Sequence, residues 1–363
     1  MADQELKSTN NLTVLIYLVG FVAFVIFVYV LIVLKALLIP ITIAIFMTYL
    51  LYPVLHYFNQ KFRLPRWLTV SFLLIAMFGL YYLLVLVLVS NYDIFANKIV
   101  SYANKLVSFL EEILASFNIT LKEMGELLNF RIDKFDAGSI FQGLFKAGII
   151  QGVFNSLTTL LNYLFVSLLF WIFMVIGKNK FEQRIMFAFK SRQEIVGKII
   201  GTINTQLQSY LVIKTIISLV TAVIVTIILW IYGIDFPIAW GVLTFLFNFI
   251  PNIGSILISI LPILVSLIDF GFGFRSVSLA VLLFLNQSIM GNIVEPQYLG
   301  KQMGLSTVFV LFSLIFWGWV WGIVGMFLSV PIAAAIKIIF SNIEPLKPIA
   351  VIMGNKADDD SIR

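Results

Sequence analysis

The chain has 363 residues, 61% of them hydrophobic and 12% charged, with a mean hydropathy of +1.04; soluble domains run near about 45–50% and about 25%, so this is an integral membrane protein. Uninterrupted apolar runs reach the ~20 residues that a membrane-crossing helix needs, which excludes a barrel built from alternating strands of about 10. With no cysteine, disulfide, thiolate and zinc-finger chemistry are excluded, and the basic pI of 9.3 comes from Lys and Arg beside apolar runs without a nucleic-acid motif, so it marks a membrane face and implies no nucleic acid.

Leu12–Leu34 reads as a first transmembrane helix without a small-residue cleavage site. After Lys35, Ala36–Phe58 forms a second span, with Pro40 near its start and Pro53 marking a bend or end. The only histidine, His56, sits near that end, where an interfacial side chain is the favoured reading over a proton relay. Lys61, Arg63 and Arg66 make a basic cluster before a third span, Trp67–Val89. From Asn91 to Phe117, Phe95, Ile99, Tyr102, Leu106, Phe109 and Ile113 fall on one narrow helical stripe. This amphipathic helix outside the bilayer is either a subunit seam or a surface lying on the protein or membrane. A fourth span, Leu157–Ile176, leads into a basic amphipathic helix over 178–209, suited to an anionic cytoplasmic leaflet, and then a fifth span, Tyr210–Tyr232.

The C-terminal half is less regular. Ile238–Ile268 is too long for one upright span and is broken at Asn248–Ser255, where Pro251 withholds a donor and Gly254 eases departure from helical geometry, and again at Pro262. Val277–Leu285 leads into the polar stretch Asn286–Gly304, which holds Glu295 followed by Pro296. A carboxylate with apolar sequence on both sides is costly unless it is buried against protein or water. Two roles fit it: coupling ion movement to a solute, or pairing structurally with Lys301 or Arg275. In the last apolar block, Leu305–Phe340, Gly318, Gly322 and Gly325 share a helical face and permit close helix packing.

Eight transmembrane helices follow, in an all-α polytopic membrane protein with broken or re-entrant helices in its C-terminal half and an extracytoplasmic helical insert. The divisions are 1–89 (first three spans), 90–155 (insert), 156–209 (fourth span and basic helix), 210–340 (transport core) and 341–363 (cytoplasmic tail). With both termini cytoplasmic, the inner segments carry 16 Lys and Arg, Arg275 among them, and the outer segments 8. There is no nucleotide-binding loop, metal-ligand cluster or paired membrane aspartates, so the chain is expected to be neither an enzyme nor an ATPase and to use no cofactor or metal. Broken helices instead expose amides, carbonyls and half-helix ends to a polar solute, and Asn248, Asn252, Asn286, Gln287 and Asn292 add neutral donors and acceptors. Taken singly, each of these amides can equally serve only to tie helices together.

FPIAWGVLTFLFNFIPNIGS (Phe236–Ser255) and GNIVEPQYLGKQMGLSTVFVLFSLIFWGWVWGIVGMFLSVPIA (Gly291–Ala333) resemble the signature half of the AI-2E family of bacterial transporters, and LLYPVLHYF in the N-terminal hairpin resembles it too. The likeness implies a homo-oligomeric, multi-pass protein of the bacterial inner membrane. Described members export the quorum-sensing furanone autoinducer-2, and others are associated with sodium/proton exchange. A passive oligomeric channel and an envelope scaffold are the alternatives from other classes.

Overall fold

The computed structural model describes residues 2–90, Lys98, Lys105, Ser108, Ala115, and residues 149–251, 253–299 and 304–354. Most of the 90–155 insert, including the stripe from Phe95 to Ile113, lies outside the described residues.

The described chain is helical: α1 (Ala2–Val33), α2 (Lys35–Lys61), α3 (Arg66–Ser90), α4 (Ile149–Ala188), α5 (Gln193–Ile231), α6 (Pro237–Phe247), α7 (Ile253–Phe270), α8 (Phe274–Ile289), α9 (Glu295–Leu299), α10 (Thr307–Ser341) and α11 (Lys347–Met353). A π turn, Met290–Val294, joins α8 to α9. Eight of the described helical segments are long and apolar enough to cross a membrane, as the composition demands. Their apolar residues lie outward, because hydrocarbon is as good a solvent for Leu or Phe as the protein interior.

One end of the bundle is basic. Arg66, heading α3, donates to the Val175 carbonyl of α4 at 2.7 Å, which sets the α2–α3 turn beside the lower part of α4. The basic stretch at 178–209 is not one helix along the leaflet. It is the tail of α4 and the head of α5, folded back through a tight turn at Lys190–Arg192. Asn204 reaches Glu182 at 3.4 Å and Gly197 packs on Met186, so both spans continue past the bundle as an antiparallel arm. The one-helix expectation failed because helical spacing on either side of a short turn reads as one continuous pattern.

At the opposite end Tyr232, closing α5, donates from its hydroxyl to Ser278 at 3.0 Å and accepts from Arg275 at its carbonyl. Arg275 also covers the Phe270 ring at 3.6 Å. The two ends of the α6–α7 unit therefore lie together. Between them α6 runs only 11 residues, about 16 Å at 1.5 Å per residue, before the chain turns from Asn248 to Pro251 and returns as α7. Gly254 sits where a Cβ would lie 1.9 Å from the Phe247 carbonyl. Its lack of a side chain is needed for closeness to α6 more than for backbone freedom.

A second hairpin enters from the basic end. α10 is two helices, because Gly322 has φ +66° and ψ −147°, which a residue with a side chain adopts only under strain. The Ser313 hydroxyl donates to Ser329 O at 2.9 Å, and Lys337 reaches Gly304 O at 2.5 Å. Residues sixteen apart in a straight helix would stand about 24 Å apart. The glycines thus do not line one face toward a neighbour: Gly322 makes the turn, Gly318 meets Met326, and at Gly325 a Cβ would lie 1.9 Å from Trp317 O. At the tip, Trp321 Nε1 donates to Leu31 O of α1 at 3.1 Å.

The two hairpins therefore dip in from opposite ends, and Phe247 of one touches Phe327 of the other edge-on, ring centroids 6.4 Å apart. Six of the eight candidate spans are left to traverse the layer. Arg275 consequently lies at the opposite end from the basic cluster, not with it as the charge count assumed. Among the described helices the number of crossings stays even.

Candidate functional site

The site is built on the antiparallel seam between α5 and α8, whose register is fixed at both ends. Tyr232 meets Arg275 and Ser278 at one end, and at the other Lys214 Nζ donates to Glu295 Oε1 at 2.6 Å. On α5, Lys214, Ser218, Thr221, Val225 and Leu229 are all buried and recur at helical spacing. On α8, Leu279, Leu283 and Asn286 do the same. Val225 and Leu229 pack with Leu279 and Leu283 in one apolar cluster. Continuing that register sets Asn286 opposite residues 222–224, beside Thr221 and one to two turns from Ser218. The seam is apolar near the Tyr232 turn, polar in the middle and ionic at Lys214–Glu295.

Glu295 reaches this seam because of the π turn. It lies nine residues after Asn286, which on a regular helix at about 100° per residue would point it the opposite way. The wider π turn removes about a right angle from that rotation. Lys214 is 4% exposed, and an ammonium so deep is tolerated only with a counter-charge at hydrogen-bonding distance. The Glu295 side chain keeps 26% exposure, so the pair is open on one side.

The tip of the α6–α7 hairpin completes the polar level. Gly241 lies so close to Thr226 that a Cβ would fall 1.9 Å from its hydroxyl. The antiparallel register brings Asn248, seven residues on, to the height of Ser218–Thr221. There Gln287 donates to Asn248 Oδ1 at 3.3 Å. Two buried groups at this level have no protein partner, the Ser218 hydroxyl and the Asn286 amide nitrogen. Such atoms are rare because each costs about 1–3 kcal/mol.

Of the residues singled out from sequence, Asn248, Asn286, Gln287 and Glu295 come together along this seam and hairpin tip, with Pro251 in the turn and Gly254 behind it. Asn292 and Pro296 are exposed to one side, and Asn252 lies outside the described residues. Glu295 does not pair with Arg275, which is occupied at the Tyr232 turn, and Lys301 lies outside the described residues. Its partner, Lys214, is not among the residues singled out from sequence, although a lone cation after Tyr210 in an apolar run is itself a signal. Ser218 carried no signal beyond its spacing from Lys214. Among the described residues no cluster of three metal-ligating side chains exists.

The model of the AI-2E family transporters matches residues 21–344. A transport protein of Borreliella burgdorferi is 32% identical over 327 residues, 88% of this chain and 85% of its own length. One from Haemophilus influenzae is 30% identical over 331 residues, 89% of this chain and 91% of its own. The AI-2 transport protein TqsA of Escherichia coli is 30% identical over 322 residues, 88% of this chain and 90% of its own.

Proposed function

The chain belongs to the AI-2E transporter family, and from that membership we propose that it is a secondary transporter exporting a small, neutral, hydroxylated solute, with autoinducer-2 as the first solute to test. The observation carrying this reading is the pair of unpartnered buried groups, Ser218 Oγ and Asn286 Nδ2, level with the Asn248–Gln287 contact. One acceptor-donor hydroxyl and one amide donor suit sugar-like hydroxyls and carbonyls better than a charged group. The two hairpins supply what alternating access needs, broken helices whose ends meet inside the membrane.

Lys214–Glu295 supports coupling to a cation gradient. A cation entering beside the Glu295 carboxylate competes with Lys214 for it, which changes how the α8–α9 segment is held to α5. The same observation favours a second reading, sodium/proton exchange as the main activity. Positive charge at the arm and the α2–α3 turn supports cytoplasmic termini in a bacterial inner membrane, and a homo-oligomer is part of the proposal.

The test is flux of labelled autoinducer-2, and separately of sodium, into liposomes holding the purified protein, with and without an imposed proton gradient. Gradient-dependent autoinducer-2 flux is expected. Sodium flux alone selects the exchanger, gradient-independent solute flux a channel, and no flux of either a scaffold.

A further inference from the structure

The basic end carries a polar site built from other helices. A cavity of about 180 Å³ is lined by Thr48, Tyr52, His56 and Asn59 of α2, Arg66 heading α3, and Val175 of α4. No carboxylate is among its lining residues. Its polar groups are held in place: Arg66 is anchored on Val175 O at 2.7 Å, leaving further guanidinium donors, and Thr69 donates to Asn59 Oδ1 at 2.8 Å, leaving that amide's nitrogen to donate elsewhere. The His56 ring stacks on Tyr52 with an interplanar angle of 11°. A fixed fork of cationic donors beside an amide and an imidazole is the chemistry that grips phosphate oxygens.

The surroundings fit a ligand at a membrane surface. Lys61 and Arg63 belong to the same α2–α3 turn, Lys61 donating to the Tyr57 hydroxyl at 2.6 Å, and Trp67 and Tyr57 are exposed as interfacial aromatics are. The volume holds a group several times a water's share of about 30 Å³, and basic pockets between spans take up anionic headgroups. We propose that this cavity binds a phosphate-bearing anion, seated on Arg66 with His56 and Asn59 closing on its oxygens. Its sources are the headgroup of an anionic lipid or a free phosphate, and the site is independent of the solute pathway.

Thermal unfolding of the full chain in neutral detergent tests this, with phosphatidylglycerol titrated in one arm and inorganic phosphate in another. We expect a raised unfolding midpoint that saturates, with Arg66→Gln weakening the apparent affinity about tenfold or more. His56→Gln weakens it about threefold. It alters only an exposed ring, so it decides the matter if Arg66→Gln unfolds for want of its Val175 anchor. Lys198→Gln, on the arm at the same end, leaves the affinity unchanged. A shift with phosphatidylglycerol alone identifies a lipid; the same shift with inorganic phosphate identifies the free anion. No shift in either arm, or equal shifts in the wild-type chain and both site variants, overturns the site.

Discussion

Lys214 and Glu295 bear the sharpest energetic consequence at the scale of single residues. Removing one partner leaves a buried, uncompensated charge at a cost of about 3–5 kcal/mol, toward the lower end here because Glu295 is partly open. Glu295→Gln is therefore expected to destabilise the fold by about 3 kcal/mol, and Lys214→Met together with Glu295→Gln to recover most of that loss. Unfolding midpoints of the two single variants and the double variant check it; additive losses would show that the pair is not coupled in the membrane. In the double variant, flux should lose its response to an imposed gradient even though folding is restored. The acid was legible in sequence because Pro296 and flanking apolar residues made it conspicuous. Its partner was not, since 81 residues separate them and only the antiparallel register of α5 and α8 joins them.

For the helices, the claim at stake is that the last long apolar block reverses at Gly322. Gly322→Ala forces a side chain into a positive φ and is expected to cost about 1–3 kcal/mol. Gly325→Ala drives a methyl into the Trp317 carbonyl and should cost at least as much. Gly79→Ala, where a Cβ meets nothing within 4 Å, serves as the neutral control. Unfolding midpoints that rank Gly79→Ala near wild type and both hairpin variants well below it are expected; three equal midpoints would argue for a straight helix. The outer turn offers a second check. Lys98 pairs with Asp235 at the start of α6, and Lys105 with Asp269 near the end of α7 at 2.6 Å. In a chain without cysteine, Lys98→Cys with Asp235→Cys should be joined by a short bis-maleimide cross-linker that spans the length of the lysine side chain. Failure to cross-link would separate the insert from the hairpin. Helix type was legible here from apolar runs alone, and the break at Pro251 from its proline. The reversal at Gly322 was not, because glycines spaced by four and three look the same whether they line a straight helix or build a hairpin.

For the whole molecule, two hairpins entering from opposite ends replace two through-going spans, which changes which turns share a face while keeping the number of crossings even. Single cysteines at Ala115 and at Ser191 should react with an impermeant thiol reagent from opposite sides of the membrane, and at Ser191 from the cytoplasmic side; labelling from one side would refute the arrangement. Composition and run length sufficed for the membrane class and the number of candidate spans. Tertiary contacts alone reveal which of those candidates fold back, since a re-entrant arm and a span are equally apolar. The central claim is that solute passes the polar level where α5, α8 and the α6–α7 tip meet. Its most direct test is Ser218→Cys in proteoliposomes, with autoinducer-2 flux measured before and after alkylation. We predict that alkylation stops flux and that autoinducer-2 present in excess slows the alkylation; undiminished flux through fully alkylated protein would contradict the account.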